Sequence, residues 1–144
     1  MPDAPFRVLP ALNDENRFFW TSGADGQLRF LRCNNCGYYM HPPLPQCPKC
    51  ESRDLSPAVV SGKGTVHSFT INHQPWDGSP DPWAIILVEF PEQEAMRLTS
   101  NMVNCAVDDV RIGMPVQVWF EQHDEIYFPL FEPSEPAGSG GTTR

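Results

Sequence analysis

Four of the chain's five cysteines fall in two knuckles, Cys33-Asn-Asn-Cys36 and Cys47-Pro-Lys-Cys50, with ten residues between them. A CxxC turn aims two thiolates at one point, and a second pair set opposite the first completes a tetrahedral set suited to zinc. Gly37 follows the first knuckle, where a residue tolerant of positive φ is useful. Pro48 stiffens the second knuckle, and Pro42, Pro43 and Pro45 hold the connecting loop extended. The segment from Gly26 to Leu55 is below the size at which a chain folds without a metal or disulfide. Bound zinc contributes about 10–16 kcal/mol to small modules of this kind. Two disulfides or a dithiol redox centre are the alternatives, and iron would take the same four ligands in a rubredoxin-like site. The expected metal ligands are therefore Cys33, Cys36, Cys47 and Cys50, with zinc as the metal. Four cysteine ligands leave no open position for a substrate, so the role is structural.

The rest of the chain is written mostly in strands. Sixteen prolines argue against a helical bundle. After a proline-rich lead-in, Asn13 or Asp14 can cap a short helix running to about Ser22, with Gly23 as its C′ residue. That helix carries Phe18, Phe19 and Trp20 in succession, pointing about 100° apart. They cannot all face one small core, so the helix is either wedged between modules or packed against another protein. Gln27 to Arg32 and Tyr38 to Met40 read as the ribbon hairpin, and Glu51 to Ala58 as a connection. Five strands follow: Lys63–Ile71, Trp83–Phe90, Met96–Met102, Val116–Glu121 and Glu125–Phe131. In the third, Met96, Leu98, Ser100 and Met102 alternate with Arg97, Thr99 and Asn101. With a short turn or helix at Val107–Val110, this is the pattern of a small OB-type barrel. The fold class expected is mainly β: a short N-terminal helix, a rubredoxin-like zinc ribbon and a C-terminal five-stranded OB-fold barrel. The boundaries expected are 1–25, 26–58 and 59–132, with a disordered tail at 133–144.

Charge narrows the partners. The formal charge is −8. Residues 1–64 carry seven basic and six acidic side chains, and residues 65–144 three basic and twelve acidic, so the barrel half stands at −9. Nucleic-acid binding depends on neutralising phosphates with Lys and Arg. An OB barrel with aromatics at Phe69, Trp76 and Trp83 could stack single-stranded bases, which is the competing function, but its charge opposes it. A rubredoxin-like electron carrier is a third class, recognisable by its red colour. No apolar run is long enough to cross a bilayer, and Met1–Pro10 has neither a basic start nor an apolar stretch, so no membrane role and a cytoplasmic location are expected.

Catalytic chemistry is missing from the pattern. His41, His67, His73 and His123 are scattered, and no nucleophile elbow, zinc-protease motif or phosphate loop occurs. Glu92 and Glu94 read as solvating a hairpin loop. Cys105 sits among small and apolar residues with no adjacent cation, which suits a buried free thiol. No residue of this chain is expected to be catalytic.

Several stretches together resemble one family: Phe18-Phe19-Trp20 with Gly26, the two knuckles, Ser61-Gly62-Lys63-Gly64-Thr65-Val66, Ile112-Gly113-Met114-Pro115-Val116 and Pro129-Leu130-Phe131. The chain resembles the DUF35 family of zinc-ribbon plus OB-fold proteins associated with acyl-CoA metabolism, over about Asn13 to Pro133. The resemblance implies a non-catalytic subunit beside a thiolase-like enzyme: a thiolase, an HMG-CoA synthase or a lipid-transfer-protein-like aldolase that shortens steroid side chains. It also implies help in holding or passing a CoA thioester, and a heterotetramer with two copies of each subunit. Lys63, Arg97 and Arg111 are the only basic residues between Val59 and Pro133. With Trp76, they are the candidates for CoA contact. Phe18, Phe19, Trp20 and Trp76 are the candidates for the partner interface.

Overall fold

The computed structural model describes residues 7–74, 78 and 80–134. The order is α1 (Arg17–Trp20), a 3-10 turn (Ser22–Asp25), β1 (Leu28–Cys33), β2 (Tyr39–Met40), β3 (Leu55–Val60), β4 (Lys63–Asn72), β5 (Trp83–Glu89), β6 (Arg97–Asn101), a second 3-10 turn (Val107–Asp109), β7 (Pro115–His123) and β8 (Ile126–Pro133). β2, β1 and β3 form one antiparallel sheet, the ribbon. The other five strands run β6-β5-β4-β7-β8, and a parallel bridge between Met102 and Phe131 brings the two ends together into the OB barrel.

The expected helix is shorter than the sequence suggests. Asn13 Oδ1 accepts the N–H groups of Glu15 and Asn16, so the capping side chain is there, but it closes a turn ahead of α1. The left-handed cap falls at Gly26 (φ 79°), not Gly23. Gly23 is needed for room, because a Cβ there would lie 2.6 Å from the Phe120 ring.

The segment from Glu51 to Ala58 is not merely a connection. Its latter part is β3, paired with β1 from Leu28↔Val60 to Cys33↔Leu55. Pro57 conceals this strand in the sequence, yet β3 is an edge, where a residue without an N–H is tolerated. β3 carries the ribbon sheet two residues past 58. At the other end, β8 includes Pro133, and Ser134 N–H donates to the Pro115 C=O at 3.0 Å. The rest of the expected tail, 135–144, lies outside the described residues.

Alternation sets the core. Ala84, Ile86 and Val88 of β5 face inward, as do Met96, Leu98 and Met102 along β6. One aromatic chain links the modules. Phe19 of α1 stacks on Phe30 of β1 at 6.3 Å, Phe30 meets Phe90 edge-on at 5.3 Å, and Phe90 meets Phe131 of β8 at 5.9 Å. Helix, ribbon and barrel therefore share one hydrophobic core. A second, small cluster of Cys33, Met40 and Cys47, with Leu31, Tyr38 and Leu55 beside it, lies at the ribbon tip. The hairpin after Phe90 does more than meet solvent. Glu92 Oε2 accepts the Ser61 N–H at 2.7 Å, and Gln93 reaches the backbone of Tyr39 in the ribbon.

A candidate metal centre and an open barrel seam

The four knuckle sulfurs lie within 4.8 Å of one another. Cys33 Sγ is 3.5 Å from Cys50 Sγ, and Cys36 Sγ is 3.6 Å from Cys47 Sγ. A zinc–sulfur bond of about 2.3 Å requires tetrahedral edges of about 3.8 Å, so the donor set fits a four-coordinate ion. The two knuckles share one backbone device. Gly37 N–H donates to the Cys33 C=O, and Glu51 N–H to the Cys47 C=O, each at 2.9 Å. Gly37 (φ 84°) and Glu51 (φ 67°) both take the left-handed conformation that this turn requires.

The sulfurs are supplied with donors. Cys36 N–H points at Cys33 Sγ and Lys49 N–H at Cys47 Sγ, each at 3.4 Å, and Asn35 Nδ2 reaches Cys50 Sγ at 3.3 Å. The Asn35 amide holds the Cys50 thiol below its usual pKa. The Tyr38 N–H favours the Cys36 thiolate, yet desolvation and the three neighbouring sulfurs push its pKa up to about 12. Four negative sulfurs this close repel one another, and a divalent cation is what allows all four to be thiolates. Cys33 and Cys47 are buried and Cys36 is exposed at the tip. The four sulfurs form a cluster suited to a structural metal ion.

The aromatic trio divides. Phe19 is 4% exposed and turned into this chain's own core, so the helix is wedged between the modules and Phe19 offers a partner no surface. Phe18 and Trp20 are half-buried against the same core. Trp76 lies outside the described residues. Cys105 is half-buried beside the core, and burial, helped by Asp109, pushes its thiol pKa up.

The three candidate cations are not gathered at one place. Arg97 pairs with Glu89 at 3.3 Å. Lys63 lines a shallow hollow with Glu89 and Glu94. Arg111 donates to the Asp109 C=O at 3.4 Å, beside the Ile112–Pro115 turn. Only Arg97 reaches the larger groove, a cavity of about 640 Å³ between β6 and β8, roofed by α1 and by His41, Pro42 and Pro43 of the ribbon loop.

Two residues of this groove were not singled out in the sequence. Arg7 pairs with Glu121 at 2.5 Å, and Nη1 donates to Asn101 Oδ1 at 3.3 Å. Burial opposes ionisation of Glu121, but Arg7 and His123 hold its carboxyl below the usual range. His41 packs against Phe19 and Phe30, with its Nδ1 buried and unpartnered. Burial lowers its pKa to about 4, so the imidazole is neutral. The one sequence signal for either is position: Arg7 is the only basic residue of the lead-in, and His41 directly follows the ribbon hairpin.

Comparison with known proteins gives two adjoining matches. Residues 20–56 match the family described as "ChsH2, rubredoxin-like zinc ribbon domain", and residues 58–121 match "ChsH2, C-terminal OB-fold domain". The chain is 36% identical over 132 residues to a "Probable enoyl-CoA hydratase alpha subunit" of Thermomonospora curvata, covering 90% of this chain and 41% of that protein. It thus spans about two fifths of that relative's length. It is 35% identical over 98 residues to a "DUF35 domain-containing scaffold protein" of Methanocaldococcus jannaschii, covering 66% of this chain and 68% of that protein. Among solved structures, the "Ltp2-ChsH2(DUF35) aldolase" matches with a TM-score of 0.77 and 35% identity, over 87% of this chain and 98% of that one.

Proposed function

The chain belongs to the DUF35 family of ChsH2-type zinc-ribbon plus OB-fold proteins, and from that premise we propose that it is a non-catalytic accessory subunit of a thiolase-like acyl-CoA enzyme. The partner supplies the nucleophile and the carbon–carbon chemistry. This chain completes the assembly and helps bind the CoA thioester. The observation that carries this reading is the likeness to the DUF35 chain of an aldolase across 98% of that chain's length. It favours a lipid-transfer-protein-like aldolase over the thiolase and HMG-CoA synthase alternatives, and two copies of each subunit are proposed.

The chain's own residues support an accessory role. Cys33, Cys36, Cys47 and Cys50 hold zinc, which fixes the ribbon tip and takes no part in chemistry. The carboxylate–imidazole pair Glu121 and His123 is tied to Arg7, which suits a structural role. Phe18 and Trp20 keep partial exposure on the wedged helix and are the partner contacts. No helix of the described residues is long and apolar enough to cross a membrane, and reduced thiols in the knuckles suit the cytoplasm.

The test is affinity purification of the tagged chain from its native host at near-physiological salt, with proteins, metal and nucleic acid assayed on the same sample. A stoichiometric thiolase-like protein and one zinc per chain are expected. Abundant nucleic acid with no enzyme would replace this reading with the single-stranded nucleic-acid one.

A further inference from the structure

The barrel is open along one side. Among the described residues, β6 and β8 meet at the Met102–Phe131 bridge, where Val103 N–H donates to the Phe131 C=O at 2.8 Å. Before that point no backbone bond joins the two strands among the described residues. Pro129 on β8 has no N–H to offer across the gap, and its C=O is taken by Ser100 Oγ at 2.7 Å. On β6, two bonds to the β5 side fix the parity: Phe90 N–H to the Met96 C=O at 3.1 Å, and Met102 N–H to the Ala84 C=O at 3.3 Å. Between them, Leu98 and Ser100 bond to β5, and the backbone groups of Arg97 and Thr99 turn away from it into the seam. Neither has a backbone partner there among the described residues.

The chemistry of the seam differs from the rest of the barrel. The chain carries −8 overall, yet among the described residues none that lines this cavity is an aspartate or glutamate. Trp20 and Phe128, edge-on at 5.5 Å, supply an aromatic wall. His41 presents a buried Nδ1 with no partner. Arg7 is locked to Glu121, both side chains being about 14% exposed or less. Arg97 is different: its pair with Glu89 is about one third exposed on each side, and such a pair gives up little when the guanidinium turns to another anion. One movable cation, an apolar wall and two strand-edge peptide units thus line a cavity of about 640 Å³.

We propose that the seam binds the pantetheine arm of a CoA thioester, its amides pairing with the Arg97 and Thr99 backbone as an added strand and its phosphates meeting the Arg97 side chain. This rests on the accessory-subunit reading for the choice of acyl-CoA chemistry and adds the place where the thioester lies. An extended acidic peptide carries similar groups. A peptide strand laid between two strands gains most by bonding to both, and Pro129 withholds the N–H that the second would supply. A thin arm with two amides needs only the β6 edge.

The probes are octanoyl-CoA and octanoyl-pantetheine, added to the metal-loaded, 15N-labelled 144-residue chain. Both should shift the Arg97 and Thr99 amide signals and the Trp20 indole signal. Octanoyl-CoA should bind about tenfold more tightly. Arg97→Gln should abolish that advantage and leave octanoyl-pantetheine affinity unchanged. Thr99→Pro removes an N–H that β5 does not use, so its melting curve should stay cooperative while both ligands weaken about fivefold or more. Octanoyl-CoA affinity unchanged in both variants, or no binding at millimolar ligand, would overturn the proposal. So would an alternating Glu–Leu octapeptide that shifts the same signals at lower concentration than octanoyl-CoA. If the native-host purification still yields a thiolase-like partner, only the seam assignment falls; if it yields none, the accessory reading itself falls.

Discussion

The side-chain amide of Gln93 pairs with both backbone groups of Tyr39. The Tyr39 N–H donates to Oε1 at 2.8 Å, and Nε2 donates to the Tyr39 C=O at 2.9 Å. A side chain on the β5–β6 hairpin thereby takes the place of a neighbouring strand at the free edge of β2, and holds the ribbon against the barrel. Gln93→Ala should lower the unfolding free energy by about 2 kcal/mol, two hydrogen bonds' worth. Gln93→Glu should cost at least as much, since a carboxylate facing the Tyr39 C=O cannot donate. Urea denaturation of the metal-loaded chain measures both.

Glu51 occupies a left-handed position that Gly37 fills in the matching knuckle. Glu51→Gly should therefore stabilise the chain, by about 1 kcal/mol after the added freedom of the unfolded glycine is counted. A higher midpoint in chemical denaturation, with zinc affinity unchanged or raised, is the expected result.

Two clusters of buried side chains predict two responses to metal loss. The tip cluster of Cys33, Met40 and Cys47 has little besides the metal to hold it, whereas Phe30 and Leu28 belong to the main core. Chelation should erase amide protection from about Cys33 to Leu55 and leave Ile86, Val88 and Val116 protected. Hydrogen exchange read by mass spectrometry distinguishes this from global unfolding. Cys47→Ser should mimic chelation.

His41 gives the chain a pH dependence. Its folded pKa of about 4 lies below the ordinary value of 6.5, because burial disfavours the charged ring. The unfolded chain therefore binds the extra proton first. The stability tied to the neutral ring is fully present above pH 6.5 and is lost as the pH falls towards 4, up to about 3 kcal/mol. Thiolate protonation also acts in acid, so the difference between the native chain and His41→Phe, both zinc-loaded, is the quantity to measure. The variant should lose less stability across that window.

Local chemistry in the sequence told where the cysteine cluster and most of the strands lie. The two knuckles, the alternation from Met96 to Met102 and the glycine before β4 each carry their meaning within a few residues. The parts that were hidden depend on distant contacts. β3 is masked by Pro57, whose missing N–H matters only if the strand has a neighbour on that side. Arg7 looks like a stray cation until it meets Glu121 at the far end of the chain. Glu92 looks like a solvated loop residue until it meets Ser61, and nothing local marks Gln93 as the partner of Tyr39. The seam itself is a property of two strands that fail to meet, and no single segment records that.

The proposed role is that of a chain that serves an enzyme without being one. The direct measurement is acyl-CoA turnover by the co-purified thiolase-like partner, assayed alone, with this chain, and with this chain after zinc removal. Turnover that requires both proteins, with none from this chain alone and a marked loss when the zinc is stripped, is the predicted result. Turnover by this chain alone, or a partner equally active without it, would rule that role out.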